Sequence, residues 1–135
     1  MAVFSNLSNY RNFGLFIIRI GLGIMFIMHG YPKLSGGEPM WGMVGASTKA
    51  VGITFWPVFW GFMSAIVETF GGLMLIIGFL FRPVCLLLIA NLLVAASFHL
   101  HNGQGWMGAS HAIEDAVTFT GLFFIGPGKY SVDKK

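Results

Sequence analysis

The fold of this chain is decided by residues 55–81, FWPVFWGFMSAIVETFGGLMLIIGFLF, which contain one charged side chain, that of Glu68. A helix needs about 20 mostly apolar residues to cross a lipid bilayer, and this stretch is long enough. Its apolar residues form a continuous run and do not alternate with polar ones, which favours a helix over a strand of a membrane β-barrel. The stretch therefore predicts a transmembrane helix that carries a carboxylate near its middle.

Three other apolar segments predict three further spans, at about residues 13–31, 84–100 and 110–125. The whole chain of 135 residues is 56% hydrophobic and only 10% charged, whereas a soluble domain carries about 25% charged residues. This composition excludes a disordered chain and an ordinary soluble enzyme. The eight Lys and Arg residues form no basic stripe, which excludes a nucleic-acid binder. We therefore predict an all-α polytopic membrane protein, a single domain over residues 1–135 built as a four-transmembrane-helix bundle.

The connections between the predicted spans indicate the orientation of the chain. Residues 32–54 are expected to form a long loop, Arg82-Pro83 a tight turn, residues 101–109 a Gly-rich loop, and Gly126-Pro127-Gly128 the end of the fourth span. Four spans place both termini and the Arg82 turn on one side, which holds five cationic residues; the other side holds only Lys33 and Lys49. Cytoplasmic segments are enriched in Lys and Arg, so both termini are predicted to be cytoplasmic. Four aromatic residues are then expected at the outer membrane interface: Tyr31, Trp56, Trp60 and Trp106.

Polar residues inside the predicted spans mark a candidate site. A charged side chain at the bilayer centre costs about 2.5–3.5 kcal/mol on insertion scales, so such residues should face the bundle interior and have partners. We expect Arg19 and Glu68 to form the main pair, because a guanidinium suits bidentate contact with a carboxylate. Each span contributes polar residues to the expected core: Arg19 and His29, Glu68, Asn91, and Glu114 with Asp115. Two interpretations stay open: a carboxyl group that exchanges protons, or an ion pair that only fixes packing.

The second span also predicts which of its faces packs against other helices. Small residues recur at helical spacing along one side, at positions 61, 65, 71 and 72, together with Glu68. Bulky apolar residues, among them Met63, Phe70 and Ile77, lie on the other side. Small residues allow close approach of helix backbones in membranes, so the small-residue face is expected to be buried and the bulky face to contact lipid or a partner subunit.

The histidines are weak metal-ligand candidates. His99, His101 and His111 are expected near the outer side, where zinc or copper binding and haem ligation are alternatives to ordinary interfacial roles. Helical residues two positions apart point to different faces, so His99 and His101 converge only if the helix ends between them. No haem, flavin or iron–sulfur motif is evident, and the single cysteine, Cys85, cannot form an internal disulfide.

The polar positions lie within segments that resemble the DoxX family. The segment LFIIRIGLGIMFIMHGYPKL (residues 15–34) is similar to the family's first span, VETFGGLMLIIGFLFRP (67–83) to its second, and GPGKYSVD (126–133) to its ending. The resemblance implies a small four-helix protein of a bacterial-type inner membrane, with a polar core of Arg19, His29, Glu68 and Glu114. Relatives act with a thiosulfate:quinone oxidoreductase, and others are tied to redox homeostasis.

Two functions follow as hypotheses. The first is an accessory redox-associated subunit that binds quinone or another lipid-soluble ligand at the Arg/Glu core; a membrane or redox partner protein would supply the electrons, so the chain would not be an autonomous enzyme. The second is a non-enzymatic membrane scaffold or small-solute transporter with a structural buried ion pair. Both place the chain in a lipid bilayer, and both are compatible with a homo-oligomer.

Overall fold

The computed structural model describes residues 3–135, and the secondary structure of this part of the chain is entirely helical, with no β-strand. Five α-helices follow one another: α1 (Arg11–Ser35), α2 (Gly37–Gly45), α3 (Pro57–Ile77), α4 (Phe81–His101) and α5 (Gly105–Ile125). Two 3₁₀ helices accompany them, Ser5–Tyr10 before α1 and Ala46–Val51 after α2. The all-α prediction is confirmed.

Three helical segments are long and apolar enough to cross a membrane: Ser5–Ser35, Pro57–Ile77 and Phe81–His101. The chain is thus a membrane protein with several apolar helices. Helix α5 has 21 residues, which is about 31 Å at 1.5 Å per residue, so its length would suffice. Its first half, however, carries the polar residues His111, Glu114 and Asp115. These residues lower its mean hydropathy, and α5 is not among the three apolar segments. A fourth span, and with it the four-span bundle, stays a prediction.

The prediction of a long loop over residues 32–54 was wrong. Helix α1 continues through Pro32 to Ser35, and most of the remaining segment forms α2 and the second 3₁₀ helix. The helical path is interrupted at Gly37, which has a positive φ of 74°, and ends at Gly52, which has a positive φ of 87°. Pro39 falls in the first turn of α2, where the amide N–H that proline lacks has no helical acceptor. The glycine and proline residues that were expected to form a long loop therefore only separate α1 from α2.

The two shorter connections also differ from the predictions. Helix α3 ends at Ile77, and Gly78 adopts the left-handed conformation that closes a helix, with its N–H 2.8 Å from the Met74 carbonyl oxygen. Arg82 and Pro83 lie in the first turn of α4, so the predicted Arg82-Pro83 turn was wrong. The Gly-rich loop is confined to residues 102–104, because α5 already begins at Gly105. The end of α5 before Gly126 is confirmed.

Helices α1 and α3 run antiparallel and in close contact, because glycines face each other across them. A Cβ atom on Gly23 would lie 2.5 Å from the Gly72 carbonyl oxygen, and one on Gly30 would lie 2.6 Å from the Thr69 backbone nitrogen. The first half of α3 packs in the same way against α2, where Gly45 and Gly61 approach the partner backbone. The small-residue face of α3 is buried while Met63, Phe70 and Ile77 are exposed, so this packing prediction is confirmed.

Helices α4 and α5 form the second antiparallel pair, joined by the short connection at residues 102–104. Phe26 of α1 and Phe119 of α5 meet edge to face with ring centroids 5.3 Å apart, which links the two pairs through a shared apolar core. We call the end of the bundle that holds Ser35, Pro57, His101 and Gly105 the loop end, and the opposite one the tail end.

Residues 126–135 pack across the tail end and connect three helices. The Val132 N–H donates to the Ile77 carbonyl oxygen at 3.0 Å. The Asp133 carboxylate accepts from the first amides of α4, at 3.2 Å from Leu80 N and 2.7 Å from Phe81 N. These amides have no acceptor within their own helix, so a carboxylate from the distant tail caps α4. The start of α1 and the tail both lie at this end of the bundle.

Candidate functional site

Arg19 and Glu68 do not contact each other, so the expected pair was wrong. Arg19 is buried and donates through Nη1 to the carbonyl oxygens of Leu75 and Ile76, at 3.2 and 2.9 Å. The reason is the register of the antiparallel pair. Glu68 lies beside Gly30, whereas Arg19 lies beside the end of α3, seven residues further on, or about 10 Å at 1.5 Å per residue.

The guanidinium of Arg19 instead joins α1, α3 and the tail. Besides the two α3 carbonyls, it donates through Nη2 to the carbonyl oxygen of Tyr130 in the tail. The last carbonyls of a helix lack partners within it and carry its partial negative charge. A buried guanidinium at this position gives these carbonyl groups hydrogen-bond donors and offsets the negative charge. Its planar fork reaches several acceptors at once. Arg19 is therefore a structural residue that anchors the tail.

Glu68 pairs with Lys33. The lysine Nζ lies 2.9 Å from both carboxylate oxygens, and the exposed fractions are 31% for the Lys33 side chain and 8% for that of Glu68. The sequence interpretation missed Lys33 because it ended the first span at residue 31. A signal was present: Lys33 continues the buried face of Gly23, Phe26 and Gly30 at helical spacing. The Trp41 indole N–H also donates to the Lys33 carbonyl oxygen at 3.0 Å, which fixes the last turn of α1 against α2.

A chain of hydrogen bonds extends from this ion pair to α4. The Asn91 Nδ2 donates to Glu68 Oε1 at 3.0 Å, and the Ser64 hydroxyl donates to Asn91 Oδ1 at 2.6 Å. Ser64 lies one turn before Glu68 on α3, so one helix face supplies both polar groups. Asn91, predicted for the polar core, thus lies next to Glu68, and Ser64 joins it.

Beside these hydrogen-bonded side chains lies a cavity of about 280 Å³ between α3 and α4, which we call the lateral cavity. The side chains of Lys33, Ser64, Glu68 and Asn91 form the polar part of its wall. Most of the remaining wall is apolar and comes from α3, α4 and the segment that covers them, with Trp60, Met63, Val67, Leu87, Val94 and Thr48 among the lining residues. The Trp60 indole N–H is buried in this wall and has no hydrogen-bond partner among residues 3–135. Trp60, expected at the membrane interface, therefore lies in the wall of this cavity, with its unpaired indole N–H buried within that wall.

A second cavity, of about 200 Å³, lies toward the loop end, and we call it the histidine cavity. It shares Lys33 and Glu68 with the lateral cavity. Its other polar lining residues are His29, His99, His111 and Asp115. His29 and Asp115, both predicted for the polar core, are thus brought within one cavity of Glu68.

Glu114 does not join the polar core. Adjacent residues on a helix point about 100° apart, so Glu114 and Asp115 cannot both face inward. Asp115 lines the histidine cavity, while Glu114 is exposed on the outer face of α5 together with Thr118. The prediction for Glu114 was therefore wrong.

The three histidines considered as metal ligands make separate local contacts. His99 Nδ1 lies 2.6 Å from Gln104 Oε1, His101 Nδ1 lies 3.0 Å from the Ser97 carbonyl oxygen, and His111 Nδ1 lies 3.3 Å from Asp115 Oδ2. His101 does not line the histidine cavity. In the described part of the chain, no group of three His, Cys, Asp or Glu side chains is arranged to hold a metal ion.

Comparison with known protein families matches residues 14–102 to the DoxX family. No curated protein and no solved structure matches the chain. The matched residues run from the first turn of α1 to the end of α4 and include Arg19, Lys33, Glu68 and Asn91; α5 and the tail lie outside them. Because the match spans more than half of the sequence and contains the ion pair with its hydrogen-bonded neighbours, the chain belongs to the DoxX family.

Proposed function

We propose that this protein is an accessory, redox-associated membrane subunit that binds quinone or another lipid-soluble ligand, with the ligand's head group in the lateral cavity. The observation that carries the proposal is the polar part of that cavity. The hydrogen-bonded side chains of Ser64, Asn91, Glu68 and Lys33 lie there in an otherwise apolar wall, and the same wall contains the buried, unpaired indole N–H of Trp60. Ligand sites are typically apolar with a few converging polar groups.

The size and position of the cavity favour an amphipathic ligand. Ligand sites measure about 300–1,000 Å³, and the cavity, at about 280 Å³, is close to the lower limit. It suits a single-ring head group, and a long tail would have to leave it. Met63 and Leu87, which line the cavity, are 39% and 55% exposed on the surface of the bundle. A hydrocarbon tail could therefore pass between α3 and α4 into the lipid.

The polar groups match the two oxygen atoms of a quinone ring. Trp60 and Glu68 are two turns apart on one side of α3, a rise of about 12 Å, so their long side chains would have to converge on the two ends of one ring held between them. A rotation of the Trp60 side chain would let its buried indole N–H donate to a quinone carbonyl oxygen. Glu68 has acceptor capacity left on Oε2, which carries only the bond from Lys33, and this oxygen can accept from the hydroxyl group of a quinol. Electrons would come from a partner protein.

The alternative function is a non-enzymatic scaffold or a small-solute transporter in which the ion pair only fixes packing. One observation favours it: the polar tips of Lys33, Glu68, Asn91 and Ser64 each form a hydrogen bond to a neighbour within this set. A network that is internally satisfied needs no ligand to stabilise it, and buried pairs can serve specificity alone. The free Trp60 N–H favours the ligand-binding function.

Ligand binding can be tested with purified protein. Extraction followed by mass spectrometry should recover quinone in amounts comparable with the protein, and decylubiquinone should bind in a calorimetric titration in detergent. Trp60→Phe removes the N–H and keeps an aromatic ring, so Kd should rise about five- to tenfold, the equivalent of one hydrogen bond. Trp106→Phe, a change at an exposed tryptophan outside the cavity, is the matched control and should leave Kd unchanged.

Recovery of phospholipid only, with no heat of quinone binding, would favour the scaffold or transporter. An equal Kd for wild type and Trp60→Phe would indicate that the ligand does not bind in the lateral cavity. The proposed setting is a bacterial-type inner membrane with both termini cytoplasmic, which is supported by the cationic residues gathered at the tail end, Arg11, Arg82, Lys129, Lys134 and Lys135.

A further inference from the structure

The Lys33–Glu68 pair lies where the two cavities meet. The lateral cavity is mostly apolar and is bordered by the exposed Met63 and Leu87, whereas the histidine cavity is lined mainly by ionisable residues and lies toward the loop end. Glu68 therefore lines a mostly apolar cavity and a polar cavity at the same time. The proposed ligand occupies only the lateral cavity, and its binding gives the histidine cavity no role.

Exposure falls steadily along the histidine cavity. The exposed fraction of the side chain is 82% for His111, 24% for Asp115 and 8% for Glu68. A cavity of about 200 Å³ has room for several water molecules, each about 30 Å³ in the liquid, and its polar walls offer them hydrogen-bond partners. The cavity thus leads from an exposed histidine at the loop end to a buried carboxylate.

Ionisable groups from every helix that borders this cavity face it. Helix α1 supplies His29 and Lys33, α3 supplies Glu68, and α4 supplies His99; α5 supplies His111 and Asp115, which contact each other at 3.3 Å. A neutral imidazole carries one donor and one acceptor nitrogen, so it can take up a proton on one side and release one on the other. Histidine also changes charge near physiological pH.

We infer that the histidine cavity is a proton route between water at the loop end and the carboxylate of Glu68. This proton route deepens the proposed function and rests on it only for the reaction that supplies the proton. A proton released by a ligand hydroxyl group to Glu68 passes through water and the side chains of Asp115 and the histidines to the loop end. No bond other than O–H and N–H bonds changes in this transfer, and nothing is oxidised or reduced.

The route can be tested without a ligand by infrared spectroscopy of the purified protein in membranes. In an acid titration, the carbonyl stretching band of protonated Glu68 is identified as the band that Glu68→Gln abolishes. After a change from H₂O to D₂O, the rate at which this band shifts measures proton exchange at Glu68. Ala112 lines the histidine cavity, and Ala112→Leu fills it, so exchange should slow by about tenfold or more, a modest share of the ~10²–10⁴-fold that positioned proton-transfer groups contribute.

Two further variants make the test specific. Ala116→Leu makes the same change one turn along α5, at a residue that is equally buried but lines neither cavity, and it should leave the exchange rate unchanged. Ala90→Leu narrows the lateral cavity and would slow exchange only if protons entered from that side. An unchanged rate in Ala112→Leu, or slowing by Ala90→Leu, would overturn the route. It would also be overturned if Glu68→Gln removed no band at any pH at which the protein stays folded.

The side from which the route opens is tested by chemical labelling. In a Cys85→Ala background, Ala112→Cys should react with a small, charged, membrane-impermeant thiol reagent added to the loop side of sealed vesicles, and Ala116→Cys should not. Reaction only from the tail side would overturn the direction. Neither measurement involves quinone, so a failure of ligand binding and a failure of the proton route are distinguishable.

Discussion

Lys33 places its Nζ 2.9 Å from each carboxylate oxygen of Glu68, which ties the last turn of α1 to the middle of α3. The two partners differ in their access to water, at 31% exposure for the Lys33 side chain and 8% for that of Glu68. The lysine can turn its ammonium group toward the surface along its flexible stem, whereas the carboxylate stays enclosed. Loss of one partner should therefore not be equivalent to loss of the other.

Replacing Lys33 should destabilise the protein more than replacing Glu68. Lys33→Met leaves a buried carboxylate without its cation, which costs about 3 kcal/mol, at the lower end of the ~3–5 kcal/mol typical of broken buried pairs. Glu68→Leu should cost less, and the double variant should recover part of the loss. Thermal unfolding in detergent measures these differences, with Lys49→Met as a control at an exposed lysine. The reverse order of the two single variants would contradict the asymmetry.

Arg19 and Glu68 should behave as independent residues. They share no hydrogen-bond partner, so the losses of stability in Arg19→Leu and Glu68→Leu should add to within about 0.5 kcal/mol in the double variant. Recovery of stability in the double variant would instead show that the two side chains do interact.

The tail should depend on the guanidinium of Arg19. Arg19→Lys keeps the positive charge but cannot donate to three carbonyl groups from one planar fork, so the tail should loosen around Tyr130, while Val132 and Asp133 keep their own bonds to α3 and α4. Limited proteolysis should then cleave within residues 126–135 faster than in the wild type. Arg11→Lys, a change at an exposed arginine that donates to the Ile125 carbonyl oxygen, is the control. Equal cleavage in the two variants would contradict the anchoring role.

The contact between α1 and α3 should tolerate no added methyl group at Gly23. A Cβ atom there would lie 2.5 Å from the Gly72 carbonyl oxygen, so Gly23→Ala forces the helices apart and should cost about 1–3 kcal/mol. Gly21→Ala is the matched control two residues away, where a Cβ atom meets nothing within 4 Å. The melting temperature in detergent should fall for the first variant only. Equal changes in melting temperature for the two variants would mean that α1 and α3 are packed less closely at Gly23 than the distance above implies.

Topology can be tested with reporter fusions. A reporter after Lys135 should report the cytoplasm, and one inserted between α2 and α3 at Gly52 should report the opposite side, because the tail and this segment lie at opposite ends of the bundle. A reporter at Gly103, in the connection between α4 and α5, should agree with the one at Gly52. A C-terminal reporter outside the cytoplasm would refute the orientation inferred from Lys and Arg.

The sequence by itself determined the long apolar helices and the buried face of α3. Long apolar runs and the spacing of Gly61, Ala65, Gly71 and Gly72 are local properties of the chain, and local spacing decides which residues share a helix face. The same holds for the end of α5 at Gly126, whose positive φ suits glycine. The small-residue face and the membrane-crossing character of α3 were therefore predictable from one segment.

Only the tertiary structure decided which charges meet. The partner of Glu68 depends on the register between α1 and α3, which is set where the glycine backbones fit together, and on the extension of α1 through Pro32 to Lys33. Spacing within one helix carries no information on either point, so Arg19 was a reasonable choice of partner and Lys33 was not seen. In the same way, the neighbours Glu114 and Asp115 are equivalent in the sequence, and only the packing of α5 turns one inward and leaves the other exposed.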